Sequence, residues 1–363
     1  MPAAKSAIFA CAANEFSDGF GTTIFLFLQT KPNFPSTQQK SPPNKENSSK
    51  TRPAPNGRSD FQRPNSQVSS APLHFEKFHH LLNGETALIR FLAALCAFSF
   101  GMLSFAQTPE YSIQAIRYAT SPDVPVSELV VGGPQNEKVD IAMVVWLMRG
   151  GGHTILFDSG FHRDTFLKEF PMKDYLRPDE AVKTAGVAPD AVTDIVISHA
   201  HWDHMGGIDL FPKATIWIQK DEYRYYTMDA WQPGGNHGGI DPEDVQALVK
   251  LNTEGRVHLI DGDNVEIFPG IRAYTGSRHT YASQYLRVDG HPPFVLASDN
   301  AYFYLNLKQR LASATFSDAD HAANIAQQAR MFVLAGSPDR VVPGHDILQF
   351  QKFPTQGRVA TIK

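Results

Sequence analysis

Short apolar runs, separated by polar and glycine-rich turns, recur along residues 107–363. Runs of four to eight β-branched and other apolar residues, bounded by turn residues, are typical of buried strands. Three glycines at 150–152 predict a hairpin turn between two of these runs. The pattern predicts strands at 111–118, 140–149, 153–158, 193–198, 215–218, 257–260, 271–274, 283–288, 294–298 and 340–342.

Helical patterns are fewer and predict helices near 178–185, 242–251 and 318–335. The second begins with Asp241 as its N-cap and Pro242 in its first turn, where both residue types are favoured. The third is expected to end at Gly336 and to bury one face. That expected face consists of Ala322, Ile325, Ala329, Phe332 and Val333. Short strands with helices following each half predict an α/β fold in which two sheets are sandwiched between helices.

The first 106 residues differ in composition from the rest of the chain. Residues 31–72 are rich in Pro, Ser, Asn, Gln and Lys and lack apolar periodicity, so we expect 1–85 to be a disordered or non-native N-terminal extension. In residues 86–106, Arg90 precedes an apolar run and a small-residue ending, which is typical of a secretory signal peptide. The alternatives are a buried amphipathic segment and a single anchor helix. Because a signal peptide acts at the N-terminus, the internal position of this segment leads us to expect a translation start downstream of Met1.

This segment predicts a periplasmic or secreted protein, or a cytoplasmic one if the segment is not used. The apolar run is shorter than the roughly twenty residues of a membrane-spanning helix, so we expect no stable membrane insertion after cleavage. Residues 107–363 are then the catalytic domain. They hold 23 Lys and Arg against 31 Asp and Glu, a net charge of −8, which argues against nucleic acid as a partner. Cys11 and Cys96 both precede this domain, so cysteine has no part in its chemistry.

The candidate chemistry begins at residues 198–207, which read SHAHWDHMGG directly after a predicted strand. His199, His201, Asp203 and His204 form an H-x-H-x-D-H pattern. A single histidine is more often an ordinary surface or core residue than a ligand. Three imidazoles and a carboxylate within six residues, however, would repel or stay unsatisfied without a cation, and zinc takes nitrogen and oxygen ligands of this kind. The run therefore predicts a metal site.

Further metal-type side chains lie at the ends of other predicted strands, where α/β folds gather functional residues. They are Asp158, His279, Asp299 and His345. Any one of them alone would be equally consistent with a surface loop residue. Their recurrence at strand ends favours a shared site.

Together these motifs resemble the metallo-β-lactamase superfamily over about residues 111–350. The resemblance implies an αββα sandwich of two mixed β-sheets flanked by helices, and a metal-dependent hydrolase. It also implies two Zn²⁺ per chain, with iron, manganese and cobalt as alternatives. It assigns His199, His201 and His279 to one zinc, Asp203, His204 and His345 to the other, Asp299 to both, and Asp158 to a supporting position behind the ligands.

Two residues narrow the resemblance toward the N-acyl homoserine lactonase family. The bridging Asp299 is absent from zinc β-lactamases, and Tyr302 follows it by three residues, as in the lactonases, where the phenol donates to the substrate carbonyl. The resemblance implies opening of a lactone ring, and hence quorum quenching, by attack of a metal-bridging hydroxide. Asp203 would carry the proton to the leaving alkoxide. The alternatives are a packing role for Tyr302, and a periplasmic phosphotriesterase or other ester hydrolase of the same superfamily.

The substrate pocket is predicted from position alone. Trp202, Met205 and Trp231 are candidate substrate-binding residues beside Tyr302. Residues 223–239 are aromatic and glycine-rich, and form either a loop over an acyl chain or a helix that docks its aromatic side chains into the core. The expected binding partner is a small ester or lactone substrate. A homodimer is possible, and the sequence does not decide the oligomeric state.

Overall fold

The computed structural model describes residues 108–363, so the predictions for 1–85 and 86–106 lie outside the described residues. Thirteen strands are found in this part of the chain: β1 (Ser112–Pro125), β2 (Lys138–Gly150), β3 (His153–Phe157), β4 (Asp194–Val196), β5 (Thr215–Gln219), β6 (Val257–Ile260), β7 (Val265–Phe268), β8 (Ile271–Thr275), β9 (Gln284–Val288), β10 (Phe294–Ser298), β11 (Val341–Pro343), β12 (Thr355–Gln356) and β13 (Val359–Thr361).

The α-helices of the same region are α1 (Val126–Leu129), α2 (Asp164–Glu169), α3 (Pro178–Lys183), α4 (Trp202–Met205), α5 (Lys220–Thr227), α6 (Pro242–Thr253), α7 (Tyr304–Gln309), α8 (His321–Ala335) and α9 (Gln349–Lys352). Short 3₁₀ turns lie at Pro189–Ala191, Ile208–Leu210, Asp229–Trp231, Asp318–Asp320 and Pro338–Arg340. No helix among residues 108–363 combines the length and the apolar character needed to cross a membrane.

The strands form two mixed sheets. The larger has the order β12-β13-β1-β2-β3-β4-β5-β6, and the smaller has the order β11-β10-β9-β8-β7. Strands β3 to β6 are parallel to one another, whereas β1, β2 and β3 pair antiparallel. In the smaller sheet β10 and β11 are parallel and the other pairs antiparallel.

Three apolar clusters separate four layers, which confirms the predicted αββα sandwich. The first packs Leu147 and Ile195 of the larger sheet against the helices on its outer face. The second lies between the two sheets and contains Trp146 and Leu296. The third joins the smaller sheet to α8 through Met331. Because both faces of each sheet are covered, β2 is buried continuously from 141 to 148 instead of alternating with polar residues.

Most sequence predictions of strands and turns are confirmed, with boundary shifts of one to three residues. The predicted hairpin lies between β2 and β3, where Gly150 pairs with His153 and the two glycines between them have φ of 58° and 83°. The predicted end of the first strand is wrong, because β1 continues to Pro125 through two irregularities in its pairing with β2. Strand β7 was not predicted, because Glu266 interrupts its short apolar run. In the sheet, Glu266 pairs with Arg272 of β8 and forms an ion pair with it.

The caps predicted for two helices are confirmed. The Asp241 side chain accepts a hydrogen bond from the Glu243 amide at the start of α6, and Gly336 ends α8 in the left-handed conformation. The buried face predicted for α8 is wrong. Val333 is 82% exposed, and the helix instead buries Asn324, Gln328, Met331 and Ala335.

Hydrogen bonding explains this reversal. The Asn324 amide oxygen accepts from the Ser313 backbone, and its nitrogen donates to Ser277 Oγ and to the Asn300 carbonyl. Gln328 donates to the Leu311 carbonyl and to the Asn324 side chain. Two polar side chains are therefore buried because they satisfy loop groups that water cannot reach.

We expect Asn324→Leu to lower the free energy of unfolding by about 3 kcal/mol, because each buried partner left unpaired costs about 1–3 kcal/mol. Val333→Ala on the exposed face of the same helix should change it by less than about 0.5 kcal/mol. Urea denaturation of the two variants measures both values. Equal unfolding midpoints would contradict the assigned helix face.

Candidate metal centre

The carboxyl ends of several strands meet at one edge of the sandwich. Strands β3 and β4 are parallel in the larger sheet, and β8, β10 and β11 run in one direction in the smaller sheet. The loops that leave these strands carry buried histidine and aspartate side chains. Candidate ligands that lie far apart in the sequence, between residues 158 and 345, therefore lie together at this edge.

Seven buried side chains converge there in two groups. The first group is His199, His201, His279 and Asp299, and the second is Asp203, His204 and His345. Within each group one nitrogen or oxygen atom per residue lies within 4.8 Å of the others. The structure therefore brings together every side chain that the sequence suggested as a ligand.

In four of the five histidines, His201 being the exception, the outer Nδ1 lies within hydrogen-bonding distance of a protein oxygen. His279 Nδ1 lies 2.8 Å from the Ala314 carbonyl, and His345 Nδ1 lies 3.0 Å from the Ala142 carbonyl. A carbonyl oxygen only accepts, so each Nδ1 carries the proton. In the neutral ring, Nε2 then presents a bare lone pair to the centre.

The inward nitrogens lie close to one another. His201 Nδ1 is 3.0 Å from both His199 Nε2 and His279 Nε2. His204 Nε2 is 3.2 Å from His345 Nε2. Lone pairs at these distances repel in a dry site unless a cation lies among them, and neutral imidazole is the form that binds metals.

Asp299 lies between the two groups. Its Oδ1 is 3.0 Å from His345 Nε2, and its Oδ2 is 3.4 Å from His279 Nε2. Oδ1 is buried, yet among the described residues it has no partner in hydrogen-bonding geometry. An unpaired buried carboxylate oxygen is costly, and a metal ligand role would remove the cost. These residues fit a divalent metal.

The electrostatics differ between the groups. Burial, followed by the neighbouring His279, lowers the pKa of His201 to about 3. Burial also lowers the pKa of His204, but Asp203 and Asp299 outweigh it and raise that pKa well above its ordinary value. Burial thus decides the direction of the pKa shift at His201, and the neighbouring carboxylates decide it at His204.

A single carboxylate supports both groups from behind. Asp158 Oδ2 lies 2.8 Å from His204 Nδ1, and its Oδ1 accepts from the Ser198 amide at 2.7 Å. Ser198 Oγ in turn lies 2.8 Å from His199 Nδ1, and Ser298 Oγ donates to Asp158. Such contacts fix the ring orientation and tautomer of metal-ligating histidines. The supporting role predicted for Asp158 agrees with this geometry.

Ser198 and Ser298 were not singled out from the sequence. Each directly precedes a candidate ligand at a strand end, and their hydroxyl oxygens lie 2.9 Å apart across the two sheets. Their position one residue before His199 and Asp299 was the available signal. That position becomes informative only once the two sheets are known to meet there.

Tyr302 lies beside both groups. Its hydroxyl is 3.5 Å from His279 Nε2, and its ring packs near the rings of His279 and His345 at centroid distances of 5.5 and 5.6 Å. Its backbone carbonyl accepts from the His345 amide. The phenol thus lies where the sequence suggested, and its catalytic role stays a prediction.

Of the three other predicted pocket residues, two are buried in the core and one lines a cavity apart from the candidate ligands. Trp202 is 2% exposed and stacks on Phe166 and Phe170, so the ring anchors α4 in the core. Met205 is fully buried in the same cluster. Trp231 is half-buried and lines a cavity of about 560 Å³ beside α6, whose lining includes none of the seven candidate ligands. Substrate contact by these residues stays a prediction.

The segment around Trp231 combines the two interpretations offered by its sequence. Its first part is helix α5, which docks Tyr226 into the core, and residues 232–240 continue as a loop. That loop returns to the centre at Gly239, whose carbonyl accepts from the Trp202 amide. Gly239 has φ of +74°, and a Cβ there would lie 2.8 Å from His201 Cδ2. The loop therefore covers the His201 ring, and only glycine fits.

Comparisons with known proteins agree with this architecture. Residues 143–302 match the family model of the metallo-beta-lactamase superfamily. N-acyl homoserine lactonase AiiB of Agrobacterium fabrum is 24% identical over 187 residues, which are 46% of this chain and 66% of AiiB. N-acyl homoserine lactonase AttM of the same organism is 40% identical over 171 residues, 46% of this chain and 63% of AttM. The chain thus spans just under two thirds of the length of these curated relatives.

Solved structures show the same fold. An N-acyl homoserine lactone hydrolase, with the product N-hexanoyl-L-homoserine at its catalytic metal centre, has a TM-score of 0.56 and 20% identity. A mutant of AiiA from B. thuringiensis has a TM-score of 0.55 and 20% identity. Each comparison covers 67% of this chain and 96% of the other. Residues 143–302 therefore match the metallo-β-lactamase family model, the described region has this fold, and lactonases are among the proteins that the chain resembles.

We expect Gly239→Ala to weaken metal retention about tenfold, within the 10–100-fold range found when groups around metal ligands are displaced. Gly234→Ala is the matched control, because Gly234 has φ of +84° but no neighbour within 4 Å of the point where a Cβ would lie. Both variants share the backbone strain, and only the first pushes on His201. Metal per chain after dialysis against graded chelator measures the difference, and equal losses would contradict the contact.

Proposed function

We propose that this metallo-β-lactamase domain is a dinuclear zinc hydrolase that opens the ring of N-acyl homoserine lactones. One observation carries the proposal: the two oxygens of Asp299 face the two ligand groups separately, with the Tyr302 hydroxyl beside them. A bridging carboxylate suits a site for two metals, and a phenol suits a developing oxyanion. The names of the curated relatives support the substrate class.

The donor set favours zinc. Histidine nitrogen and carboxylate oxygen are its usual ligands in catalytic sites, and cysteine is absent from the described residues. His199, His201 and His279 would hold one ion, Asp203, His204 and His345 the other, and Asp299 both. Bound there, the two ions would supply Lewis acidity and an activated water.

Tyr302 would stabilise the negative charge that forms when water adds to the lactone carbonyl. Its hydroxyl lies at the first ligand group and is held by the packing of its ring against two of the histidines. A donor fixed in a dry site costs no reorganisation when the charge appears. The hydroxyl therefore contributes more to the transition state than to substrate binding.

Asp203 would move the proton. In lactone hydrolysis, the water oxygen bonds to the carbonyl carbon, the ring C–O bond breaks, and the proton lost by water must reach the alkoxide. The Asp203 carboxylate lies at the second ligand group, with Oδ2 3.4 Å from His204 Nε2. We propose that the leaving oxygen lies at this second group, so that the Asp203 carboxylate would be beside it. The product is a hydroxy acid.

In a cell, ring opening would inactivate such lactones as signals, so the proposed role is quorum quenching.

We also propose that residues 86–106 act as a signal peptide and direct export of the protein. N-terminal sequencing of the protein recovered from periplasm or medium tests this point. A mature N-terminus far from residue 107 would contradict it.

The purified protein should bind two zinc ions per chain and release acid from N-acyl homoserine lactones. Metal analysis and a pH-indicator assay measure these two properties. The same panel should include organophosphate triesters and simple esters. Turnover of a triester without lactone turnover would replace the proposed function by the phosphotriesterase alternative, and one metal per chain would contradict the dinuclear centre.

Tyr302→Phe should lower kcat for lactone opening about 100-fold and leave KM nearly unchanged, because an oxyanion donor acts mainly in the transition state. Tyr304→Phe is the matched control, since the Tyr304 hydroxyl has no hydrogen-bond partner among the described residues. Steady-state kinetics on both variants measure the effect. Unchanged kcat in Tyr302→Phe would leave Tyr302 a packing residue.

A further inference from the structure

Glu222 is a buried carboxylate outside every sequence motif of the centre. It lies in the first turn of α5, directly after β5, and is 0% exposed. A buried charge is costly unless it is paired or fully hydrogen-bonded. Its partners therefore indicate why the fold retains it.

All three partners of Glu222 lie on the two loops that carry the histidines of the first ligand group. Oε1 accepts from the Ala200 amide at 2.9 Å and from Thr280 Oγ1 at 2.6 Å. Oε2 accepts from the Ala282 amide at 2.6 Å. Ala200 lies between His199 and His201.

The two loops come from different sheets. The loop of Ala200 follows β4 in the larger sheet, and the loop of Thr280 and Ala282 follows β8 in the smaller one. Their separation sets the distance between His201 Nδ1 and His279 Nε2, which is 3.0 Å. One carboxylate bonded to both loops fixes that separation.

Only a carboxylate satisfies this arrangement. Backbone N–H groups only donate, and one faces each oxygen, so both oxygens must accept. A glutamine of the same size would direct its NH₂ group at a backbone N–H. The three partners are neutral N–H and O–H donors.

We propose that Glu222 is a positioning residue that holds the His199–His201 loop and the His279 loop at metal-binding distance, and so sets the metal affinity of the first ligand group. The inference rests on the proposed function only for the presence of metal in this centre. It does not depend on which ester or lactone is the substrate.

The test is competitive removal of zinc from the zinc-loaded protein by a chromogenic chelator. In Glu222→Gln, one of the two ions should leave at a chelator strength about 10–100-fold lower than in the unchanged protein, the usual range for supporting groups. The other ion should leave as before. Circular dichroism during thermal unfolding reports whether the fold is intact.

Asp194→Asn is the matched control. Asp194 is also a buried carboxylate with three side-chain partners, His153, Thr193 and Trp217, but it lies at the opposite end of β4 from the centre. It should lose stability without a change in zinc affinity. Equal zinc loss in the two variants, or unchanged zinc affinity in Glu222→Gln, would overturn the proposal.

A second pair of variants keeps the test decisive if Glu222→Gln does not fold. Thr280→Val removes one donor to Glu222 at nearly constant volume, and Thr280→Ser retains the hydroxyl. Zinc affinity should fall in the first and be preserved in the second, and equal affinities would overturn the proposal. The expected shifts in zinc release without any lactone turnover would refute the substrate assignment alone.

Discussion

The centre depends on one constraint: buried lone pairs that point at one another. Four of the five histidines place their outer nitrogen against an oxygen of the protein, as His279 does at the Ala314 carbonyl and His345 at the Ala142 carbonyl. In the neutral form of these four rings, the inner nitrogen can then only accept. A carboxylate oxygen of Asp299 faces each group and adds negative charge. A cation is the species that turns this repulsion into attraction, so the chemistry of the site follows from how its outer contacts are arranged.

The sandwich supplies the rigidity that such an arrangement needs. Both sheets are packed between apolar layers, and the buried ligand side chains lie in the loops at the strand ends. At that edge Asp158, Ser198 and Ser298 form a hydrogen-bonded cluster that joins the two sheets directly behind the ligands. A buried polar network of this kind is stable only when every member is satisfied. The supporting contacts and the sheet packing therefore stabilise each other.

Sequence patterns succeeded where local periodicity reflects burial and failed where a distant polar partner decides it. The continuous apolar run of β2 and the glycine hairpin after it were readable because they are local properties. The buried face of α8 was predicted from apolar residues, but Asn324 and Gln328 occupy it because loop groups elsewhere in the chain need their amides. The packing of Trp202 was likewise not readable from the sequence, since its adjacency to two ligands does not reveal the aromatic rings that stack on it.

The sequence by itself determined the donor types, their order and their places at strand ends, because H-x-H-x-D-H spacing and strand periodicity are properties of neighbouring residues. Only the tertiary structure decided which donors share a group: His201 meets His279 from 78 positions away through the packing of one sheet on the other. It also decided the contacts of Glu222 with two loops and of Gly239 with a ligand ring. Such distances depend on strand register and layer spacing, which no local pattern encodes.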